Sequence, residues 1–482
     1  MATRVSFELE APMGHRPPIR GNSTYRAIIG VLALLILLVG GCGGDDGASG
    51  DDATPTSGDP AASATPTEPP ATPTESPATA TRASEEVGAD LPRAEPPGID
   101  SPETAAFVDG LNGFAFDLYQ AVIEDEDGNL IYSPTSIELA FSMVYAGARG
   151  ETESQMAEVL GFLPQEEQHP AANALDQHLA ALGQDATPGM EQGEPFQLNI
   201  ANAIWGQEGY TFLDAFLETL AAHYGAGLRI ADFATAAEDA RQEINAWIED
   251  RTEGRIEEAV PEGAIDEATR LVLANAIYFS AGWLFPFDES NTADGAFTLL
   301  DGSQVTVPMM RQDAVRMPYA DGDGYQAALI PYTGQSVDML VILPEAGRFE
   351  EIEANLSPVL FDELRAEAET HDVALAMPQF DFESQLDLTT ILPEMGMPDP
   401  FGPADFSGIT GTADLFIATA LHHATIAVDE KGTEAAAVTV IGMEESAMPR
   451  AEITLDRPFI FAIVERETGA VLFMGRVVNP AA

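Results

Sequence analysis

The chain has 482 residues, 79 of them acidic against 21 basic, for a formal charge of −58. So acidic a surface repels nucleic acid and anionic lipid headgroups, while 45% apolar and 8% aromatic residues are too many for a wholly disordered polymer. Cys42 is the single cysteine and the seven histidines form no HExxH pattern, so no disulfide, CxxC pair, zinc site or cofactor is expected.

Residues 1–26 are basic, carrying Arg4, Arg16, Arg20 and Arg26 against Glu8 and Glu10. An uncharged run, 27–39, follows and ends in Gly40, Gly41 and Cys42. It is shorter than the roughly 20 apolar residues a bilayer-spanning helix needs and suits the apolar core of a signal peptide. Small residues before a lone cysteine resemble a bacterial lipoprotein signal, in which Cys42 is lipidated and becomes the mature N-terminus. The alternative is an uncleaved anchor with an incidental cysteine. Either way the globular part is expected outside the cytoplasm, at the cell surface and held to a membrane.

Residues 43–99 hold 11 acidic residues, 2 basic residues and 10 prolines, with no hydrophobic periodicity. A segment of this composition cannot offset its chain entropy by burial and is expected to remain an extended, solvated tether. With +2 on residues 1–42 and −9 on the tether, −51 remains on residues 100–482. The acidity therefore belongs to the surface of the folded part.

Residues 100–482 read as one large domain, without linker or internal repeat. Ala106, Val108, Leu111, Phe114, Leu118 and Val122 recur at helical spacing and predict a helix over Pro102–Ile123. Further helices are expected at 137–145, 153–160 and 241–251. Strand-like runs occupy 196–205, 271–278, 325–332, 337–343, 373–377 and 415–428. Three more close the chain at 451–455, 459–465 and 471–477. Helices first and strands later indicate an α+β fold with a large sheet. Sequence motifs for an enzyme are missing: there is no GxSxG elbow, no phosphate-binding GxxxxGK[ST] loop and no GxGxxG.

Several segments together resemble the serpin family over roughly 100–482. Asn129-Leu-Ile-Tyr-Ser-Pro-Thr-Ser136, followed by Ala140-Phe-Ser-Met143, is similar to the serpin segment under the central sheet. Leu273-Ala-Asn275-Ala-Ile-Tyr-Phe-Ser-Ala-Gly-Trp283 with Pro286-Phe287, and then Pro308-Met-Met310, fit the middle of the family pattern. Asp429-Glu-Lys-Gly-Thr-Glu-Ala-Ala436, Asp456-Arg-Pro-Phe-Ile-Phe461 and Leu472-Phe-Met-Gly-Arg-Val-Val-Asn-Pro480 resemble the hinge and the C-terminal signature. The resemblance implies about eight or nine helices around three β-sheets, with an insertable central sheet and an exposed reactive loop. It also implies a suicide-substrate inhibitor, not an enzyme: a serine protease acylates itself on the loop, which then inserts as an extra strand. A non-inhibitory carrier or chaperone-like serpin is the alternative, and a clean hinge argues against it.

The hinge spans Glu430, Lys431, Gly432, Thr433, Glu434, Ala435, Ala436, Ala437 and Val438. Gly432 offers a pivot free of Cβ restrictions. Read as a strand, Thr433, Ala435, Ala437 and Thr439 make a face of small residues that can slide against a core. Taken alone, so alanine-rich a run reads equally as a helix-prone surface loop. Thr433 is expected to be exposed before cleavage and buried afterwards. Ser133, Pro134, Ser136, Asn275 and His422 match a polar cluster beneath the strands that part, although a lone buried histidine is by default a satisfied core residue. Trp283 matches the tryptophan where insertion starts; simple core packing is its other reading.

The resemblance places the scissile bond seventeen residues into the hinge, at Ser446–Ala447, with Glu445–Ser446 and Ala447–Met448 as alternatives. None of these offers Arg or Lys to a trypsin-like pocket, so elastase-like or subtilisin-like serine proteases are the expected partners. A monomer is expected.

Overall fold

The computed structural model describes residues 85–182, 197–433 and 449–482. Helix α1 (Pro102–Ile123) has the bounds its periodicity predicts. The Ser101 hydroxyl accepts from the Thr104 amide at 3.1 Å, and Pro102 presets the first helical φ. Its stripe from Val108 to Val122 is buried. In chain order come α2 (Pro134–Tyr145), α3 (Gly150–Leu160), α4 (Gln165–Leu182), α5 (Asp214–Thr219) and α6 (Phe233–Arg251). The later helices are α7 (Phe349–Glu353), α8 (Pro358–Glu367), α9 (Leu388–Glu394) and α10 (Ser407–Thr410).

The strands begin with β1 (Glu85–Val87), β2 (Leu130–Tyr132), β3 (Gln197–Gln207), β4 (Leu228–Ala231) and β5 (Leu271–Gly282). Then follow β6 (Ala293–Thr298), β7 (Gln304–Gly322), β8 (Tyr325–Pro331), β9 (Val337–Pro344), β10 (Glu369–Pro378) and β11 (Phe380–Asp387). The last are β12 (Thr419–Val428), β13 (Gly432–Thr433), β14 (Arg450–Thr454), β15 (Phe459–Glu465) and β16 (Val471–Val477).

Seven strands form one sheet in the order β1-β4-β3-β5-β13-β12-β11, in which β5 and β12 also pair directly. The remaining nine are joined in the order β14-β10-β7-β8-β9-β15-β16-β2, with β6 on β7. Long β7 links two sections of this second sheet. Most of its length pairs with β6 and β10, and only 319–322 pair with β8. The architecture is α+β, with one large sheet and a second hydrogen-bonded system in two parts. Helix α2 lies against the inner face of β3 and β5 and against β16. Helix α6 and residues 252–270 cover the outer face, where Trp205, Phe233, Ile244, Ile248, Val260, Ile265 and Val272 share one apolar cluster.

Residues 85–99, expected to belong to the tether, are placed otherwise. Residues 85–99 lie on the body: β1 pairs antiparallel with β4, from Glu85 opposite Ile230 to Val87 opposite Leu228. Arg93 then donates to Asn173 Oδ1 at 2.7 Å and to the His223 carbonyl at 3.1 Å, and pairs with Asp176. Composition missed this because three backbone-paired residues and one arginine fork need no hydrophobic period. Met1–Ser84, including Cys42, lie outside the described residues, as do 183–196 and 434–448.

Candidate functional site

The site is the seam between β5 and β12. These strands run parallel and pair directly from Val272 opposite Thr419 to Ile277 opposite Ala424. Farther up, β13 takes the place between them. Gly432 pairs with Gly282 and Thr433 with Ala281 on one side, and Thr433 with Val428 on the other. Alternation along β5 sends Asn275 and Ala281 to the inner face and Val272, Ala274 and Ala276 to the outer one.

Beneath the seam sits a polar cluster whose Ser133, Ser136, Asn275 and His422 are buried and whose Asn202 is partly so. Ser133 caps α2 by accepting from the Ser136 amide at 3.1 Å, and Pro134 supplies the first helical turn. The Ser133 backbone N–H donates to His422 Nε2 at 2.9 Å. That leaves Nδ1 to carry the imidazole proton and donate it to Asn275 Oδ1. The Asn275 amide donates to the Ser136 carbonyl at 2.8 Å, with the Ser136 hydroxyl and Asn202 Oδ1 each 2.6 Å away. Burial first, and then neighbouring His423, lower the His422 pKa to about 3, so the ring is neutral.

Above the seam, a tight turn launches β13. The Asp429 carboxylate accepts from the Lys431 amide at 2.8 Å and the Gly432 amide at 3.2 Å. The indole N–H of Trp283 donates to the Asp429 carbonyl at 3.0 Å, and its backbone N–H to the Lys431 carbonyl at 2.8 Å. Trp283 stacks on Tyr332, ring centroids 4.5 Å apart. The Tyr332 hydroxyl is 2.8 Å from Thr433 Oγ1. A Cβ at position 432 would lie 2.2 Å from the Ala281 carbonyl oxygen, so only glycine fits so close to β5. Glu430 accepts from Thr292 Oγ1 at 2.5 Å and from the Gln379 amide at 2.7 Å. Burial pushes its carboxyl up, but these hydrogen bonds and adjacent Lys431 hold it below the usual range. Lys431 Nζ, 3.9 Å from the exposed Glu289 carboxylate, adds little stability.

One expectation is corrected here. Thr433 is 2% exposed, not a surface residue awaiting burial. Its small side chain fits under the sheet, and its hydroxyl finds Tyr332, so nothing opposes its entry between β5 and β12. Ser133, Pro134, Ser136, Asn275 and His422 come together at the lower seam; Trp283, Glu430, Lys431, Gly432 and Thr433 gather at its top. Glu434, Ala435, Ala436, Ala437 and Val438, with Glu445, Ser446, Ala447 and Met448, lie outside the described residues. Asn202, Tyr332, Thr292 and Gln379 escaped the sequence reading. They reach the site from strands or turns tens of residues away, and only the β3–β5 register, which sets Asn202 opposite Asn275, could have pointed to one of them.

Residues 109–480 match the family model described as Serpin (serine protease inhibitor). The chain is 39% identical over 377 residues to an uncharacterized serpin-like protein of Thermococcus kodakarensis, covering 77% of this chain and 85% of that one. It is 36% identical to the leukocyte elastase inhibitor of Equus caballus, covering 76% of this chain and 97% of the relative. Among solved structures, the native state of the thermophilic serpin tengpin is similar with a TM-score of 0.71 at 27% identity, covering 83% of this chain and all of that one. Thyroxine-binding globulin with thyroxine gives a TM-score of 0.67 at 29% identity, covering 78% and 99% of the two chains.

The neutral histidine gives the site a pH signature. Unfolded, His422 takes up a proton near its ordinary value of 6.5; folded, it does so only near 3. Its stabilising contribution is therefore complete above pH 6.5 and is lost as pH falls towards 3, at about 1.4 kcal/mol per pH unit for one group. His169, also lowered to about 3 by burial, then by His223 and Arg149, adds a parallel dependence. The urea midpoint should fall between pH 6.5 and 4, and His422→Gln should flatten that slope by one proton. An unchanged slope in the variant would show that His422 is protonated in the fold.

Proposed function

This chain belongs to the serpin family of serine protease inhibitors, which are not enzymes, and among the inhibitory and carrier readings open to that family we propose that it traps a serine protease by inserting its reactive loop into the β5–β12 seam. The observation that supports this most is β13, which already stands between those strands as an extra strand would begin. Continuing its register sets Ala435 opposite Phe279, Ala437 opposite Ile277 and Thr439 opposite Asn275, all on the inner face. The small residues then meet the core, and Thr439 brings a hydroxyl between Asn275 and His422 just as their mutual hydrogen bond is broken. Ser133, Ser136 and Asn202 are the other polar partners that exchange as the strands part.

In this reading the protease serine attacks the Ser446 carbonyl carbon. The bond to the Ala447 nitrogen breaks, and that amine leaves with a proton supplied by the protease's own acid. The ester is retained because insertion carries the protease away before water can attack. Similarity to leukocyte elastase inhibitors favours an elastase-like target, and subtilisin-like enzymes accept the same small residue before the bond. The trap works as a monomer, outside the cytoplasm, with Cys42 lipidated and the segment from 43 to β1 as its leash. A carrier or chaperone-like serpin would keep the fold and only lose its loop when cleaved.

An elastase-like or subtilisin-like protease should give an SDS-stable covalent complex and release a C-terminal peptide of 36 residues beginning at Ala447. Cleavage with turnover and no complex would favour the carrier reading. A peptide beginning at Ala451 would move the bond behind Arg450 and make trypsin-like enzymes the target.

Thr433→Arg places an unpaired cation where a buried threonine stands. It should expel β13, destabilise the uncleaved form by several kcal/mol on the order of a buried-ion penalty, and turn the inhibitor into a substrate. A normal stoichiometry of inhibition in this variant would remove the small inner face from the mechanism. Cys42→Ala should shift the protein from the detergent to the aqueous phase on partitioning; unchanged partitioning would indicate an uncleaved helix.

A further inference from the structure

A cleft of about 350 Å³ opens between the turn joining α2 to α3, the first turns of α4, helix α5 and α10, and none of the seam residues line it. Its volume is at the small end of the range for ligand sites. Its most buried polar group is His169 of α4, 6% exposed, whose Nε2 has no hydrogen-bond partner among the described residues. A chain of hydrogen bonds behind the ring sets its tautomer. The Gln168 amide donates to the Ser142 hydroxyl at 2.8 Å, and Ser142 donates to the Tyr224 hydroxyl. Tyr224, 2.7 Å from His169 Nδ1, then donates to that nitrogen. The imidazole proton is thereby left on Nε2, and burial keeps the ring neutral. A second imidazole, His223, has its centroid 6.1 Å from that of His169 and its Nδ1 likewise unpartnered. It comes from a π-helical turn, 220–224, a rare form found mostly at functional sites.

Two opposite charges stand at the mouth. The Arg149 guanidinium gives Nη1 to the Ala146 carbonyl at 3.0 Å, the Ala148 carbonyl at 2.6 Å and Gln165 Oε1 at 3.3 Å, which fixes the fork. A Cβ at position 408 would lie 2.6 Å from Arg149 Nη2 and 2.7 Å from the Gly147 carbonyl oxygen, so glycine makes room for the guanidinium. Among the described residues no carboxylate pairs with Arg149. Asp405, whose carboxyl Arg149 helps to hold low, accepts instead from the Ser407 amide at 3.0 Å. Glu166, exposed in the first turn of α4, likewise has no cation beside it among the described residues. Between the charges the wall is apolar, with Pro170, buried Phe216 and Leu213, which is 38% exposed.

We propose that this cleft is a binding site for an apolar α-amino acid. The ligand carboxylate accepts from Arg149 and from His169 Nε2, its ammonium faces Glu166, and its side chain packs on Leu213, Pro170 and Phe216. The charges decide the class. An acid without an amine meets repulsion from Glu166, an amine without an acid meets it from Arg149, and a plain hydrocarbon leaves the buried His169 donor unsatisfied.

The test is calorimetric titration of the full chain with L-phenylalanine as probe. L-phenylalaninol, which lacks the carboxylate, and 3-phenylpropanoate, which lacks the ammonium, serve as comparators. Phenylalanine should bind about tenfold more tightly than either, the effect of one charge-assisted contact. Arg149→Gln should weaken phenylalanine about tenfold and leave phenylalaninol unchanged. His169→Phe keeps a ring in place and should weaken phenylalanine about fivefold, the effect of one net hydrogen bond. In the wild type the ligand should shift the nitrogen resonance that this variant lacks. Glu166→Gln changes an exposed side chain that the fold does not need; it should weaken phenylalanine and spare 3-phenylpropanoate. No binding of phenylalanine up to about 10 mM would overturn the site, as would equal affinity for the three compounds. Wild-type affinity for phenylalanine in Glu166→Gln would overturn the amino-acid assignment.

Discussion

Parallel strands pair through slanted hydrogen bonds that are slightly less stable per residue than antiparallel ones, and the parallel contact at the heart of the seven-stranded sheet is the one between β5 and β12. A strand entering there from the top runs antiparallel to both neighbours, as β13 already does. Each step of entry exchanges one parallel contact for two antiparallel ones and adds a buried side chain. A full inserted strand would thus exchange the weaker pairing at the centre of the sheet for two stronger ones. The glycine that lets the chain approach β5, the aromatic pair roofing β13 and the polar cluster below all attend to this single line of hydrogen bonds.

Charge is kept away from that line. The chain carries a formal −58, yet beneath the seam the described residues are serine, asparagine and a neutral histidine, joined by hydrogen bonds between uncharged groups. The carboxylates of the turn before β13, Asp429 and Glu430, are spent on backbone amides, a threonine hydroxyl and a glutamine amide. Neutral polar groups can exchange partners at small cost, whereas buried ions cannot. The acidic exterior and the exchangeable interior are compatible because sheet and helices keep them in separate layers.

Much of this arrangement was readable in the sequence where burial is two-sided or strictly periodic. Helix α1, β15 and β16 have the expected bounds, and the apolar runs that became β5, β9 and β12 are buried along nearly their whole length. Helix α4 went unseen because Pro170 interrupts it and its buried face includes Gln168, His169 and Asn173. Strand β7 hid behind Pro308 and Pro318, and edge strand β11 behind alternating charged and polar residues. At the site, motif resemblance found the residues that lie close together in sequence. It could not find Tyr332 or Asn202, whose partners are fixed by strand register, nor show that Thr433 is already beneath the sheet.

Lys431 is the chain's only lysine, and it stands in the turn two residues before Thr433, its side chain about one-third exposed. Amine chemistry therefore has one side-chain address on the protein, at the turn that launches β13. An amine-reactive fluorophore would label the hinge without mutagenesis, and a lysine-specific endopeptidase would cut the folded chain at that turn or nowhere. Any cellular enzyme that acylates lysine would, by the same arithmetic, be modifying the hinge.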